Sequence, residues 1–75
     1  MMEENAKKYL ILGRNIKKAR KAMGLSQNEL AEKLDISREH LAKIETAKRG
    51  ISLKLFFKTA EALKTLEKDL MDFKE

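Results

Sequence analysis

The chain has no cysteine, no proline and only three glycines among its 75 residues. Without cysteine there is no disulfide, and a single histidine leaves no Cys/His set that could hold a structural zinc. A domain this small buries only about 60% of the surface its unfolded chain exposes. Its stability must therefore come from close helix packing, helped by dimerisation. β-branched residues are few and never cluster, which removes the main strand signal. No apolar run is long enough to span a bilayer. The start, Met1-Met2-Glu3-Glu4, is acidic at once, unlike the basic start of a signal peptide. A cytoplasmic protein with no membrane contact is the expectation. There is no glycine-rich phosphate loop and no Ser/His/Asp or Cys/His constellation. Neither an enzyme, nor a cofactor, nor a bound metal is expected.

What the chain does have is Ala, Leu, Lys and Glu in abundance, which favours helix throughout. Its net charge is +5, unevenly placed. Residues 1–58 carry 14 Lys/Arg against 7 Asp/Glu, and residues 59–75 carry 3 against 5. A basic body with a mildly acidic tail points to a polyanion on one face. A soluble helical protein coated with Lys and Glu accounts for the charge equally well.

Helix starts are strongly marked. Ser26 and Glu29 form a capping box, and Leu25 with Leu30 forms a hydrophobic staple around it. The staple recurs at Ile36-Ser37 with Leu41 and at Ile51-Ser52 with Phe56. A first helix is predicted from about Tyr9 to Met23, stopped by Gly24. A fifth is predicted from about Leu66 to Phe73, after Lys64-Thr65. Residues 1–8 are read as a flexible N-terminal extension, and residues 9–75 as one domain. Helical periodicity places Leu12, Ile16, Ala19, Leu30, Ala31, Leu34, Leu41, Ile44, Leu53, Phe56, Ala60 and Leu63 inward. Leu25 and Ile36 join them, and so do Leu66 and Leu70 in the last segment. Only Leu34-Asp35-Ile36-Ser37 separates the second and third helices. A left-handed Asp35 would make that turn, since Asp tolerates it better than most residues.

A short helix, a tight turn and a second short helix form a helix-turn-helix, which can lay one helix in the major groove of DNA. On a wheel of about 100° per residue, Arg38, Glu39, Ala42, Lys43 and Thr46 share the outer face of the third helix. Arg38 or Lys43 can donate to guanine and Glu39 can accept from cytosine. The methyl of Ala42 can meet a thymine methyl. Glu39 and Lys43 are also an i, i+4 pair in the favourable order, and serve equally as a helix-stabilising pair. His40, the only histidine, is an ordinary polar residue on the flank of that helix. Phe56 and Phe57 point about 100° apart, so both cannot face one core. Phe56 fits the core, and Phe57 packs under the last helix or forms a subunit contact. Met71 and Phe73 raise the same choice, and all three are candidate dimer contacts.

Three stretches carry a resemblance to a known family: IKKARKAMGLSQNELAEKL at Ile16–Leu34, ISREHLAKIE at Ile36–Glu45, and KRGISL at Lys48–Leu53. Over roughly residues 10–70 the chain resembles the phage Cro and repressor family, the XRE-type regulators. The resemblance implies an all-α, compact five-helix, lambda-repressor-like domain, with the recognition helix over about residues 37–47. It implies that Arg38, Glu39 and Lys43 meet base edges, with His40 at the margin. It places Gln27, Thr46, Lys48 and Arg49 on phosphates, and Arg20 with Glu45 as a buried structural ion pair. The family usually has glycine where this chain has Ala47, and proline where it has Ile51. A third helix running on to Gly50 is the resulting expectation.

The implied function is that of a small homodimeric transcriptional regulator, a repressor before an activator, on a roughly palindromic double-stranded operator. With no room for a ligand-binding domain, its control would lie in concentration and site competition. A rival from another class is an interaction module. That module would be an antitoxin with a toxin partner, or a domain holding another protein through Phe57 and the C-terminal helix.

Overall fold

Capping serines decide where three of the five helices begin. In a computed structural model, which describes residues 2–74 (residues 2–4 by backbone alone), Ser26, Ser37 and Ser52 each hold an extended backbone. Each hydroxyl accepts from the amide three residues on: Glu29 at 3.0 Å, His40 at 3.0 Å and Leu55 at 3.1 Å. The helices are α1 (Met2–Ala22), α2 (Gln27–Leu34), α3 (Arg38–Glu45), α4 (Leu53–Ala62) and α5 (Glu67–Leu70). The described residues form no strand. None of their helices is long and apolar enough to cross a membrane. Met1 and Glu75 lie outside the described residues.

Two helix lengths differ from the expectation. α1 starts at Met2 rather than about Tyr9, because Ala6, Lys7, Lys8 and Leu10 are good helix formers and nothing among them breaks the ladder. At about 1.5 Å per residue its 21 residues span roughly 32 Å, close to the 34 Å length of the whole molecule. α5 is a single turn rather than Leu66–Phe73. Leu66 offers no side-chain cap, and the segment that follows is held by other bonds. Asn15 of α1 donates its amide to Leu70 O at 2.9 Å and to Asp72 O at 3.0 Å. The tail is thereby strapped to α1.

The core is one cluster. Leu12 and Ile16 of α1 meet Leu30, Ala31 and Leu34 of α2, and Leu41 and Ile44 of α3. Phe56, Ala60, Leu63 and Leu70 close it from the other side. Ala19, Leu25 and Ile36 pack at its margin. Two inward assignments are corrected. Leu53 is 70% exposed, because α4 begins there and Leu55 is the residue that packs at that end. Leu66 is 57% exposed, because it occupies the boundary before α5. Lys58 donates to Leu34 O at 3.1 Å, so α4 also satisfies a terminal carbonyl of α2.

Candidate nucleic-acid interface

Helix α3 is fixed at its rear by α1. Gly13 lets the two helices close in: a β-carbon there would stand 2.5 Å from Glu45 O and 2.7 Å from Ile44 O. Only glycine fits such a backbone approach. Two turns further along the same face of α1 lies Arg20. Its Nε donates to Glu45 Oε2 at 2.7 Å and its Nη2 to Glu45 Oε1 at 3.1 Å. Its Nη1 donates to Leu25 O at 2.9 Å, which ties the entry to α2 into the same group. Arg20 and Glu45 are both buried. A two-bonded fork of this kind matches a planar carboxylate, which a lysine could not do.

The buried carboxylate continues outward. Gln27 Nε2 donates to Glu45 Oε1 at 3.0 Å. A carboxylate only accepts, so the amide must turn its nitrogen inward and present its oxygen to the surface. Arg38 Nη1 donates to that oxygen at 3.4 Å. An unbroken path thus runs from Arg20 in the core through Glu45 and Gln27 to Arg38, the first residue of α3. The Gln27–Glu45 bond was not legible in the sequence. Eighteen residues separate the two, and only the packing of α2 across α3 joins them.

The other assigned residues follow along α3. Arg38, Glu39 and Lys43 are exposed, while His40 and Ala42 are half-buried between them and the core. Glu39 Oε2 lies 3.9 Å from Lys43 Nζ, a loose pair in solvent worth little to stability. Both side chains are therefore open to other partners. Thr46 is exposed, and its hydroxyl donates back to Ala42 O at 2.8 Å. Lys48 and Arg49 are exposed beyond the helix end.

That end departs from the expectation of a helix reaching Gly50. α3 stops at Glu45, and Ala47 adopts the left-handed conformation, φ 61°. The amides of Lys48 and Arg49 both turn back to Lys43 O, at 2.8 and 3.2 Å. Ala47 thus takes the conformation a glycine would take, and the turn is made without one. At the front of α3, Asp35 is left-handed as well, φ 58°, and the amide of Ile36 reaches Ala31 O at 3.0 Å.

The candidate dimer residues divide. Phe57 is 52% exposed on α4, its ring centroid 5.9 Å from that of Phe56. Met71 is exposed, while Phe73 is half-buried against the core. Met71 and Phe73 line one groove with Asn5, Lys8, Tyr9 and Leu12, and Phe57 has no part in it. Among the described residues, no group of three or more His, Cys, Asp or Glu could hold a metal ion.

The arrangement offers cationic and carboxylate side chains on one exposed helix, the open amides of the α2 N-terminus beside it, and two cations past its end. That is the equipment for base edges flanked by phosphates. Known proteins agree with this geometry. A family model described as helix-turn-helix matches residues 16–70. Among solved structures, the chain is similar to the restriction-modification controller protein C.AhdI from Aeromonas hydrophila. Identity is 31% and the TM-score 0.79, over 83% of this chain and 94% of that one. It is similar to the hypothetical transcription factor NHTF from Neisseria at 28% identity and a TM-score of 0.82, covering 87% and 73% of the two chains. It is also similar to the clp gene regulator ClgR from C. glutamicum, at 25% identity and a TM-score of 0.81, covering 87% and 84%. No curated protein sequence matches it. The fold, the braced recognition helix and these likenesses agree: the chain belongs to the XRE-type helix-turn-helix family of DNA-binding transcriptional regulators.

Proposed function

We propose that the chain acts as a homodimeric repressor, each subunit laying α3 in the major groove of one half of a roughly palindromic operator. The half-sites would lie about one helical turn apart, roughly 10–10.5 bp. Arg38, Glu39, Ala42 and Lys43 meet base edges, with His40 at the contact's margin. Gln27 meets a phosphate through its main-chain amide and its remaining side-chain hydrogen, and Thr46, Lys48 and Arg49 meet others. Phe57 supplies apolar surface to a second subunit, and Met71 and Phe73 do so from their separate groove. The observation that carries this reading is the buried Arg20–Glu45 pair extended through Gln27 to Arg38, at 2.7, 3.0 and 3.4 Å. C.AhdI, a restriction-modification controller, supports a regulatory role for a chain of this size.

Selection of bound sites from a random DNA pool tests the proposal. A recurring motif with two-fold symmetry is expected, and its affinity should fall steeply with salt as phosphate contacts release counterions. Lys43→Ala should relax preference at one position of each half-site, at a cost of about 1–3 kcal/mol on the preferred sequence. An equal loss on every sequence would make Lys43 a phosphate contact instead. An asymmetric motif would remove the dimer, and no enrichment at any salt would remove the DNA reading.

A further inference from the structure

Tyr9 and Leu10 are exposed apolar residues on the part of α1 that precedes the family match. Neither stands alone in solvent. Asn5, Ala6, Tyr9 and Leu10 form one wall of a shallow groove, and Thr46 and Ala47 form the other. The ring of Tyr9 also lies near the far end of that loop. A β-carbon placed on Gly50 would lie 3.8 Å from Tyr9 Cε1, an ordinary van der Waals distance. The N-terminal half of α1 therefore flanks the loop from Thr46 to Gly50.

This loop carries a strained residue. An L-residue at φ 61° is disfavoured, and the amides of Lys48 and Arg49 share a single carbonyl. Two long exposed cations on such a loop lose much freedom when they settle on phosphates, and prior ordering reduces that cost. We propose that Tyr9 is a positioning residue for DNA binding. Its ring braces the Thr46–Gly50 loop, so that Lys48 and Arg49 are already held where the phosphates arrive. Tyr9 itself touches no DNA. The inference rests on the DNA-binding role proposed above, and gives α1 a task beyond packing.

The test uses the full chain with Tyr9→Ala, Tyr9→Phe and Gly50→Ala, and two measurements. The first is amide hydrogen exchange at Lys48 and Arg49 in the free protein. The second is the salt dependence of affinity for DNA. Tyr9→Ala should speed exchange at those two amides while amides in α2 and α4 keep their rates. It should weaken binding to all sequences alike and flatten the salt slope by about 0.9 for each phosphate that is no longer neutralised. Tyr9→Phe should leave both measurements unchanged, because the ring is the brace. Gly50→Ala, where φ is not left-handed, should add a methyl against the ring and slow loop exchange only when Tyr9 is present. Unchanged loop exchange in Tyr9→Ala would overturn the proposal, whatever happened to affinity. Faster exchange throughout would overturn it too, since the effect would be global. If Tyr9→Phe lost as much affinity as Tyr9→Ala while loop exchange kept its rate, the hydroxyl would be a direct phosphate contact. If it sped loop exchange as much, the hydroxyl and not the ring would hold the loop, and either result would overturn the ring as brace. A wild-type chain that binds no DNA, yet shows the local exchange effect, would identify the DNA reading as the failed step and overturn the positioning role with it.

Discussion

The two turns that flank α3 solve the same problem with different residues. Both need a left-handed residue: Asp35 at the front, φ 58°, and Ala47 at the rear, φ 61°. Aspartate visits that conformation readily, whereas alanine sets its β-carbon against the following carbonyl. The front turn is therefore made from within by its own sequence. The rear turn is imposed from outside, by Gly13 and Arg20 gripping Glu45 and by the α1 wall beside the loop. The recognition helix is locally specified where it starts and tertiary-specified where it ends.

Removing the outside grip should have the largest effect. Arg20→Ala leaves Glu45 buried with only the Gln27 amide as a partner, and should cost about 3–5 kcal/mol in urea unfolding. A loss under 1 kcal/mol would mean that the rear of α3 is held by packing alone. A smaller change in the opposite direction is expected from Ala47→Gly. Relief of the left-handed strain, about 1–2 kcal/mol, outweighs the roughly 0.5–1 kcal/mol entropic cost of glycine. The melting temperature should rise with Ala47→Gly and not with Asp35→Gly. Equal behaviour of the two variants would abolish the contrast between the turns. The smallest effect belongs to the capping box before α2. The amide of Ser26 donates to Glu29 Oε1 at 2.8 Å. That backbone bond first, then the Ser26 hydroxyl, holds the Glu29 carboxyl below its ordinary range. A lowered folded value means that the contribution is complete above the ordinary carboxylate range and is lost as pH falls through the lowered one. Glu29→Gln should remove this part of the acid dependence of stability. If the acid limbs of the two proteins superimpose, Glu29 has no share in it.

Local signals read well from the sequence. The Ser26, Ser37 and Ser52 caps each lie one residue before a helix, and Asp35 is left-handed. Leu12, Ile16, Leu30, Leu34, Leu41, Ile44, Phe56 and Leu63 all reach the core that periodicity assigned them. The failures are at ends. Leu53 and Leu66 are apolar and in phase, yet each sits where a helix begins beyond its packing neighbours. Phase gives a direction and not the presence of a partner. Gly13 left only a faint trace, a glycine inside a strong helix former. Its reason is a carbonyl 32 residues away.

The sequence by itself determined the class of the protein: five helices, three of them started by serine caps, and an exposed Arg38–Glu39–Lys43 face. Those features depend on residues within one or two turns of each other, so local hydrogen bonds and periodicity carry them. The tertiary structure alone decided how that face is held. Gly13 against Glu45, Gln27 between Glu45 and Arg38, and Tyr9 beside Gly50 are each unions of distant residues, whereas the Arg20–Glu45 union was already implied by the family resemblance. They exist only because burial of one small core brings α1 across the end of α3.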